Sequence, residues 1–427
     1  RFHQYEMGGQ TLDAIAPEAL LLPDGRPARQ GWPLRAGFLH LNHGSFGAVP
    51  LTALSEQSLL RDEMEALPVS WFITLPERIA SARAAIAERL GVESTRLAFV
   101  PNATAGASVV YKSLQFPRQS EIVVTNHGYG AVTMGAEIAA ARDGARVVTA
   151  EIPLGCTADE AHDAVMNVVT DRTALVVVDQ ITSPTALQLP VATIASSARN
   201  AGAQVLVDGA HSPGLIAEPL AGVPANYWTG NLHKWPGAPR GCGVFVADSE
   251  SSMGLFPVID SWGTPLEYPE RFDHQGTLDL TAYLAASTSW DFIEHTWGWS
   301  SVRSYMDELV GYGAAIIADA FSAITGEDHQ SKAQLTVCAL RLVRLPDGLI
   351  SHNQAANELR DAMMRETGLQ AAFTSHAGTG YVRLSAHAYN TPADYEEFAE
   401  RIVPMLCNRA KSLGSDHVDA APLGVTH

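Results

Sequence analysis

The sequence predicts an α/β fold, with a mostly parallel sheet in a large domain and a smaller α+β C-terminal domain after it. Three observations predict it. Short apolar runs alternate with helical stretches from Arg96 to Asp208. Those runs are continuous in Val, Ile and Leu instead of alternating with polar residues, as in strands covered on both faces. The segments between them are long enough for the crossovers that parallel neighbours require.

Residues 1–36 contain Pro23, Pro27 and Pro33 and read as an irregular arm. Phe38 to Leu41 is a short apolar segment. It breaks into Asn42-His43-Gly44-Ser45-Phe46-Gly47, where two glycines let the backbone approach a ligand. Pro76 to Leu90 reads as a helix, with Pro76 in the first turn, Ala80, Ala84 and Ala87 at helical spacing, and Gly91 as the stop. Strands are expected at Arg96 to Val100, Glu121 to Thr125, Arg146 to Ile152, Thr173 to Asp179 and Gln204 to Asp208. Helices at Thr104 to Leu114, Ala131 to Ala141, Ala158 to Val169 and Val191 to Ala201 connect them. A short strand precedes Lys234, and another spans Gly243 to Ala247. The pattern weakens after Asp260. Ala282 to Phe321 reads as a long helix with a connection. Lys332 to Leu345, Leu349 to Thr367 and Gly380 to Leu384 read as α+β, and Asp394 to Leu406 as a closing helix. The expected organisation is an arm and substrate loop over 1–60 that packs with the small domain, a large domain over 61–285, the small domain over 286–410, and a loose tail over 411–427.

Composition narrows the function. Hydrophobic residues make up 46% and charged residues 17%, which is globular. The net charge of −18 argues against nucleic acid and anionic membrane surfaces as partners. No unbroken apolar run approaches the roughly 20 residues of a membrane span, and residues 1–10 lack the regions of a signal peptide. The four cysteines, Cys156, Cys242, Cys338 and Cys407, form no CxxC pair, so no metal site or disulfide framework is expected. The expected compartment is the cytoplasm.

The chemistry centres on Asn231-Leu232-His233-Lys234-Trp235-Pro236. Lys234 follows Asp208 by 26 residues, and Asp208 ends the apolar strand Val205-Leu206-Val207 before Gly209-Ala210-His211. A lone lysine in a Gly/Pro-rich loop is ordinarily a solvated charge. An acid at a strand end with a lysine one crossover later is also what pyridoxal phosphate requires: an amine for its aldehyde and a carboxylate to keep its ring nitrogen protonated. Two other stretches converge with them. Asn102-Ala103-Thr104-Ala105-Gly106 follows a strand and opens a helix, where free amides and the Thr104 hydroxyl suit an anion. Asn126-His127-Gly128-Tyr129 also follows a strand, at the edge where ligands of doubly wound sheets bind.

Together, Leu41 to Gly47, Asn102 to Thr104, Asp208 to His211, His233 to Trp235, Gln275-Gly276-Thr277, and Arg383-Leu384-Ser385 with Tyr389-Asn390-Thr391 carry a family likeness. The set resembles the class V aminotransferase-like enzymes of fold type I, and within them the isopenicillin N epimerase-like branch, over about residues 38–400. The resemblance implies that Lys234 carries pyridoxal 5'-phosphate covalently and shuttles protons, while Asp208 pairs with its ring nitrogen. It implies that Thr104 and the backbone at Ala103 and Ala105 hold the phosphate, helped by Asn231 and His233. His127 or Tyr129 would stack on the ring, and His211 would lie near the ring hydroxyl. Thr277 would reach the phosphate of a neighbouring subunit, which implies a homodimer with shared sites. Arg383 would grip the substrate α-carboxylate, with Asn42, His43, Gly44 and Ser45 on the substrate side. In one respect the sequence departs from the desulfurases of that family: Phe373 to Gly380, before Arg383, contains no cysteine.

The implied activity is lyase or epimerase chemistry at Cα or Cβ of an amino acid. The expected substrate is an S-substituted cysteine or peptide-like amino acid of antibiotic-type metabolism. Alternatives are decarboxylation-coupled oxidative deamination of an S-cysteinyl conjugate, as in lincosamide pathways, transamination, or cysteine desulfuration. A non-catalytic cofactor-binding regulator is disfavoured by the acidic charge and the lack of a basic helix-turn-helix stretch.

Overall fold

The computed structural model describes residues 14–418. The elements that position the site begin with β1 (Leu39–His40) and the short helix α1 (His43–Phe46). Two long helices follow, α2 (Leu51–Ala66) and α3 (Pro68–Leu90). Then β2 (Leu97–Val100), α4 (Ala103–Ser113), β3 (Glu121–Thr125), α5 (Gly130–Asp143), β4 (Arg146–Ala150), α6 (Ala158–Met166), β5 (Thr173–Asp179), α7 (Val191–Asn200) and β6 (Gln204–Gly209) alternate. β7 (Tyr227–Asn231) and β8 (Gly243–Ala247) complete a seven-stranded sheet in the order β2-β8-β7-β6-β5-β3-β4. β3 to β7 run parallel; β8 lies antiparallel between β7 and β2. Val176, Val178, Val205 and Val207 enter one hydrophobic core, and Leu175, Val177 and Leu206 enter another on the opposite face. Burial on both faces is why these strands read as unbroken apolar runs.

After the sheet come α8 (Thr281–Thr296) and α9 (Trp299–Thr325). A second unit then combines β9 (Leu340–Arg344), α10 (Asn353–Thr367), β10 (Leu369–Gln370), β11 (Ala372–His376) and β12 (Thr379–Ser385) with α11 (Pro392–Glu397) and α12 (Val403–Val418). Its three antiparallel strands lie in the order β11-β12-β9. β1 pairs with β10, so residues 39–40 join the chain's beginning to this second unit.

Several sequence expectations are corrected. Pro76 lies inside α3, which starts at Pro68. Proline removes one backbone donor there, and the core contacts of Trp71, Leu75 and Ile79 around it keep the helix continuous. The unassigned stretch before it contains α2, whose buried Ala53, Gln57, Leu60 and Met64 form a narrow stripe masked by exposed Leu51, Leu54 and Leu59. α9 is long and apolar enough to cross a membrane by length and composition alone. In the fold its Val302, Met306, Leu309, Val310, Ile317 and Phe321 enter the core. The expected tail begins inside α12; residues 1–13 and 419–427 lie outside the described residues.

Candidate active site

The pairing registers bring the candidate residues to one edge. Asp179 and Asp208 are Cα partners at the ends of β5 and β6. Val100 and Asn231 both pair with Gly243, so the start of α4 sits beside the end of β7. Gly106 permits that approach, because a Cβ there would lie 2.1 Å from Thr229 Oγ1.

Lys234 is almost wholly buried, and its amine lies 3.2 Å from Nε2 of His211. The indole N–H of Trp235 donates to Nδ1 of the same ring at 3.3 Å. An indole can only donate, so in the neutral ring the proton sits on Nε2 and is directed at the lysine nitrogen. Burial, then the positive charge of Arg383, lowers the Lys234 amine to about 7, against the pull of Asp208 and Asp179. Burial and the neighbouring Lys234 and Arg383 charges hold His211 well below the usual range, so it is neutral. Asp208 is buried and accepts from the Ala210 amide at 3.0 Å; burial raises its carboxyl, with that amide and Lys234 opposing.

Arg383 on β12 is buried and makes four donations. Nη1 donates to the Ser183 carbonyl at 2.7 Å and its hydroxyl at 3.2 Å, and Nη2 donates to Asn42 Oδ1 at 3.2 Å and Ser45 Oγ at 3.1 Å. Its buried Nε has no partner among the described residues. A buried donor without an acceptor is costly, and a carboxylate would satisfy it. Ser183, on the loop after β5, was missed by sequence reasoning. The one available signal was that β5 ends at the same sheet edge as Asp208.

The loop 42–47 divides in two. Asn42 and Ser45 reach Arg383. His43 and Gly44 do not line an opening. His43 Nε2 donates to the Lys234 carbonyl at 2.7 Å, its Nδ1 accepts from the Tyr389 hydroxyl at 3.0 Å, and its ring stacks on His387 at 3.9 Å. The Gly44 amide donates to Ser385 Oγ. Both are buried behind Lys234 because the loop closes against residues 233–235. Gly47, at φ 72° and ψ 172°, belongs to a backbone region reserved for glycine, and a Cβ there would lie 2.0 Å from the His233 carbonyl. Gly47→Ala should therefore cost at least about 2 kcal/mol of stability in denaturant unfolding. An unchanged midpoint would mean that the loop is free to move.

At α4 the expectation is also corrected. The Ala103 amide donates to Asn231 Oδ1 and the Ala105 amide to Asn102 Oδ1, both at 2.8 Å. They are occupied by caps. The Thr104 amide has no such partner among the described residues, and it and the Thr104 hydroxyl remain for an anion. His233 Nδ1 donates to the Cys242 carbonyl at 2.8 Å, and burial lowers this ring to about 4. His127 is fully buried: Nε2 donates to the Ile152 carbonyl, Nδ1 accepts from Thr185, and the ring stacks on His376 at 4.4 Å. Tyr129, at the start of α5, is exposed. Thr277 is exposed.

A match to the family model Aminotransferase class-V spans residues 73–398, most of the chain. This chain belongs to the class-V aminotransferase family. It is an enzyme of fold type I that uses pyridoxal phosphate. The isopenicillin N epimerase of Streptomyces clavuligerus is 27% identical over 405 residues, covering 90% of this chain and 98% of that one. The L-cysteine desulfhydrase of Arabidopsis thaliana is 23% identical, over 87% of this chain and 88% of its own. Among solved structures, the cystine C–S lyase C-DES shares the fold, with a TM-score of 0.73 at 19% identity, over 86% of this chain and 98% of that one. The residues present fit this class-V cofactor: a buried amine, a buried acid on the same edge, an open helix start and an unmatched guanidinium nitrogen.

The cysteines offer no nucleophile near Arg383. Cys156, Cys242 and Cys407 are buried, and burial pushes the half-buried Cys338 up to about 12. The hairpin from β11 to β12 contains Ser375 and His376 and no cysteine.

Proposed function

We propose that Lys234 carries pyridoxal phosphate and that the enzyme acts on an S-substituted cysteine or a peptide-like amino acid by lyase or epimerase chemistry, in antibiotic-type metabolism. The observation that carries this reading is the Lys234 amine, buried, lowered to about 7 and facing His211. Such an amine is available as a base near neutral pH. When bound, the cofactor supplies an electron sink that weakens the bonds at Cα. The chain supplies the rest. Lys234 takes and returns the proton, and Asp208 steadies positive charge at the ring nitrogen. The Thr104 amide and hydroxyl, with His233 beside them, hold the phosphate. His211 approaches the ring hydroxyl from beside Lys234.

His127 or Tyr129 covers the cofactor ring; the hydrogen bonds of His127 lie in its ring plane and His376 stacks on one face, which leaves the other face for a ligand. Arg383 holds the α-carboxylate with Asn42, Ser45 and Ser183 fixing its plane. Thr277 serves the neighbouring copy in a homodimer; the same segment exposes Val258, Ile259 and Trp262, a patch suited to a partner. The free cysteines and the acidic charge support a cytoplasmic location. The relatives' names span an epimerase and an L-cysteine desulfhydrase, which supports proton transfer at Cα over transamination or desulfuration.

Mass spectrometry of products from a panel of amino acids and S-substituted cysteines tests the reading. Release of a thiol or inversion at Cα is expected. Turnover only with an oxo-acid co-substrate would replace the reading with transamination. For Arg383→Lys, a rise in KM of at least about tenfold is expected while bound-cofactor absorbance persists, because lysine cannot reproduce the planar fork. Unchanged kinetics would remove Arg383 from the site.

A further inference from the structure

Asp179 is a buried carboxyl that the proposed chemistry leaves without a role. It is the Cα partner of Asp208 in parallel strands about 4.8 Å apart, so both side chains leave the same face of the sheet side by side. Both are within a few per cent of complete burial, at 4% and 2% exposed. Its other neighbour is the start of α5. The Tyr129 backbone faces its carboxyl and favours the charged form, and a Cβ on Gly128 would come within 3.9 Å of its Oδ1. The cation facing the pair is Lys234, and burial lowers its amine to about 7, so it carries only part of a charge near neutral pH. Two adjacent carboxylates cannot both stay charged in such a place; one retains its proton. Asp208 has the Ala210 amide and, on the reading above, the ring nitrogen of the cofactor to hold its charge.

We infer that Asp179 is the neutral member of a proton-sharing carboxyl pair, a positioning residue whose O–H steadies Asp208 and whose carbonyl faces the Tyr129 backbone. One group thereby couples the acid beneath the cofactor to the helix start that presents Tyr129. Burial, then the Asp208 charge, raises Asp179 well above the usual carboxyl range, in the same direction. The inference rests on the assignment of Asp208 to the cofactor, but its first test does not.

Infrared spectroscopy of the full chain at pH 7.5, with and without added pyridoxal phosphate, should show a protonated-carboxyl stretch. Asp179→Asn should remove it. An amide can replace the O–H donor and the acceptor together, so Asp179→Asn should bind pyridoxal phosphate within about threefold of wild type. The pH midpoint of its bound-cofactor absorbance should be unshifted. Asp179→Leu, which can do neither, should bind at least tenfold more weakly and shift that midpoint. Absence of the stretch in wild type, its survival in Asp179→Asn, or equal weakness of the Asn and Leu variants would overturn the inference. If the Leu variant does not fold, the stretch in wild type and its loss in Asp179→Asn decide. Failure of wild type to bind pyridoxal phosphate would overturn the earlier cofactor assignment while the stretch still reports on Asp179.

Discussion

Lys234→Ala should reduce turnover by at least about 10³-fold, since it removes both the covalent anchor and the proton carrier. Borohydride treatment of the wild-type enzyme should fix pyridoxal phosphate to the peptide containing Lys234, and to none containing Lys112, Lys332 or Lys411. The pH dependence has a definite sign. Burial, then Arg383, lowers the amine to about 7, so it is protonated and unreactive below that pH and free above it. Labelling of the cofactor-free chain by an amine reagent should therefore rise as pH passes through about 7 at Lys234. Lys112, whose ammonium is paired with Asp260, is the internal control. Labelling that rises together at all four lysines would remove the special environment inferred for Lys234.

Asp208→Asn should reduce turnover by about 10²-fold or more while leaving the fold intact, because the amide fills the same space but cannot hold positive charge at the ring nitrogen. The Ala210 amide, which now donates to a carboxylate oxygen, can still donate to the Asn carbonyl. The change is thus electrostatic in a fixed geometry. Circular dichroism and melting should be near those of wild type, and the bound-cofactor absorbance should change its pH dependence. Near-normal turnover would transfer the role to Asp179, which lies beside it in register.

The sequence by itself determined the sheet. Unbroken Val/Ile/Leu runs require cover on both faces, and the structure supplies it as two cores with successive side chains entering each. It also determined which strand ends matter, because Asp208, Asn231 and the start of α4 follow from strand positions alone. What only the tertiary structure decided is how each polar group is used. The amides of Ala103 and Ala105 look free in sequence; Asn102 caps Ala105 locally, and the β2-β8-β7 order brings Asn231 to Ala103. His43 reads as a loop residue facing a ligand and instead holds the Lys234 carbonyl from behind. Ser183 and Asp179 carry no motif, yet β5 places one at Arg383 and the other at Asp208. Apolar periodicity reports burial, a property each residue carries with it. The partner of a hydrogen-bonding group depends on which distant segment arrives beside it, as Arg383 meeting Ser183 and Asn42 shows, and local spacing does not encode that arrival.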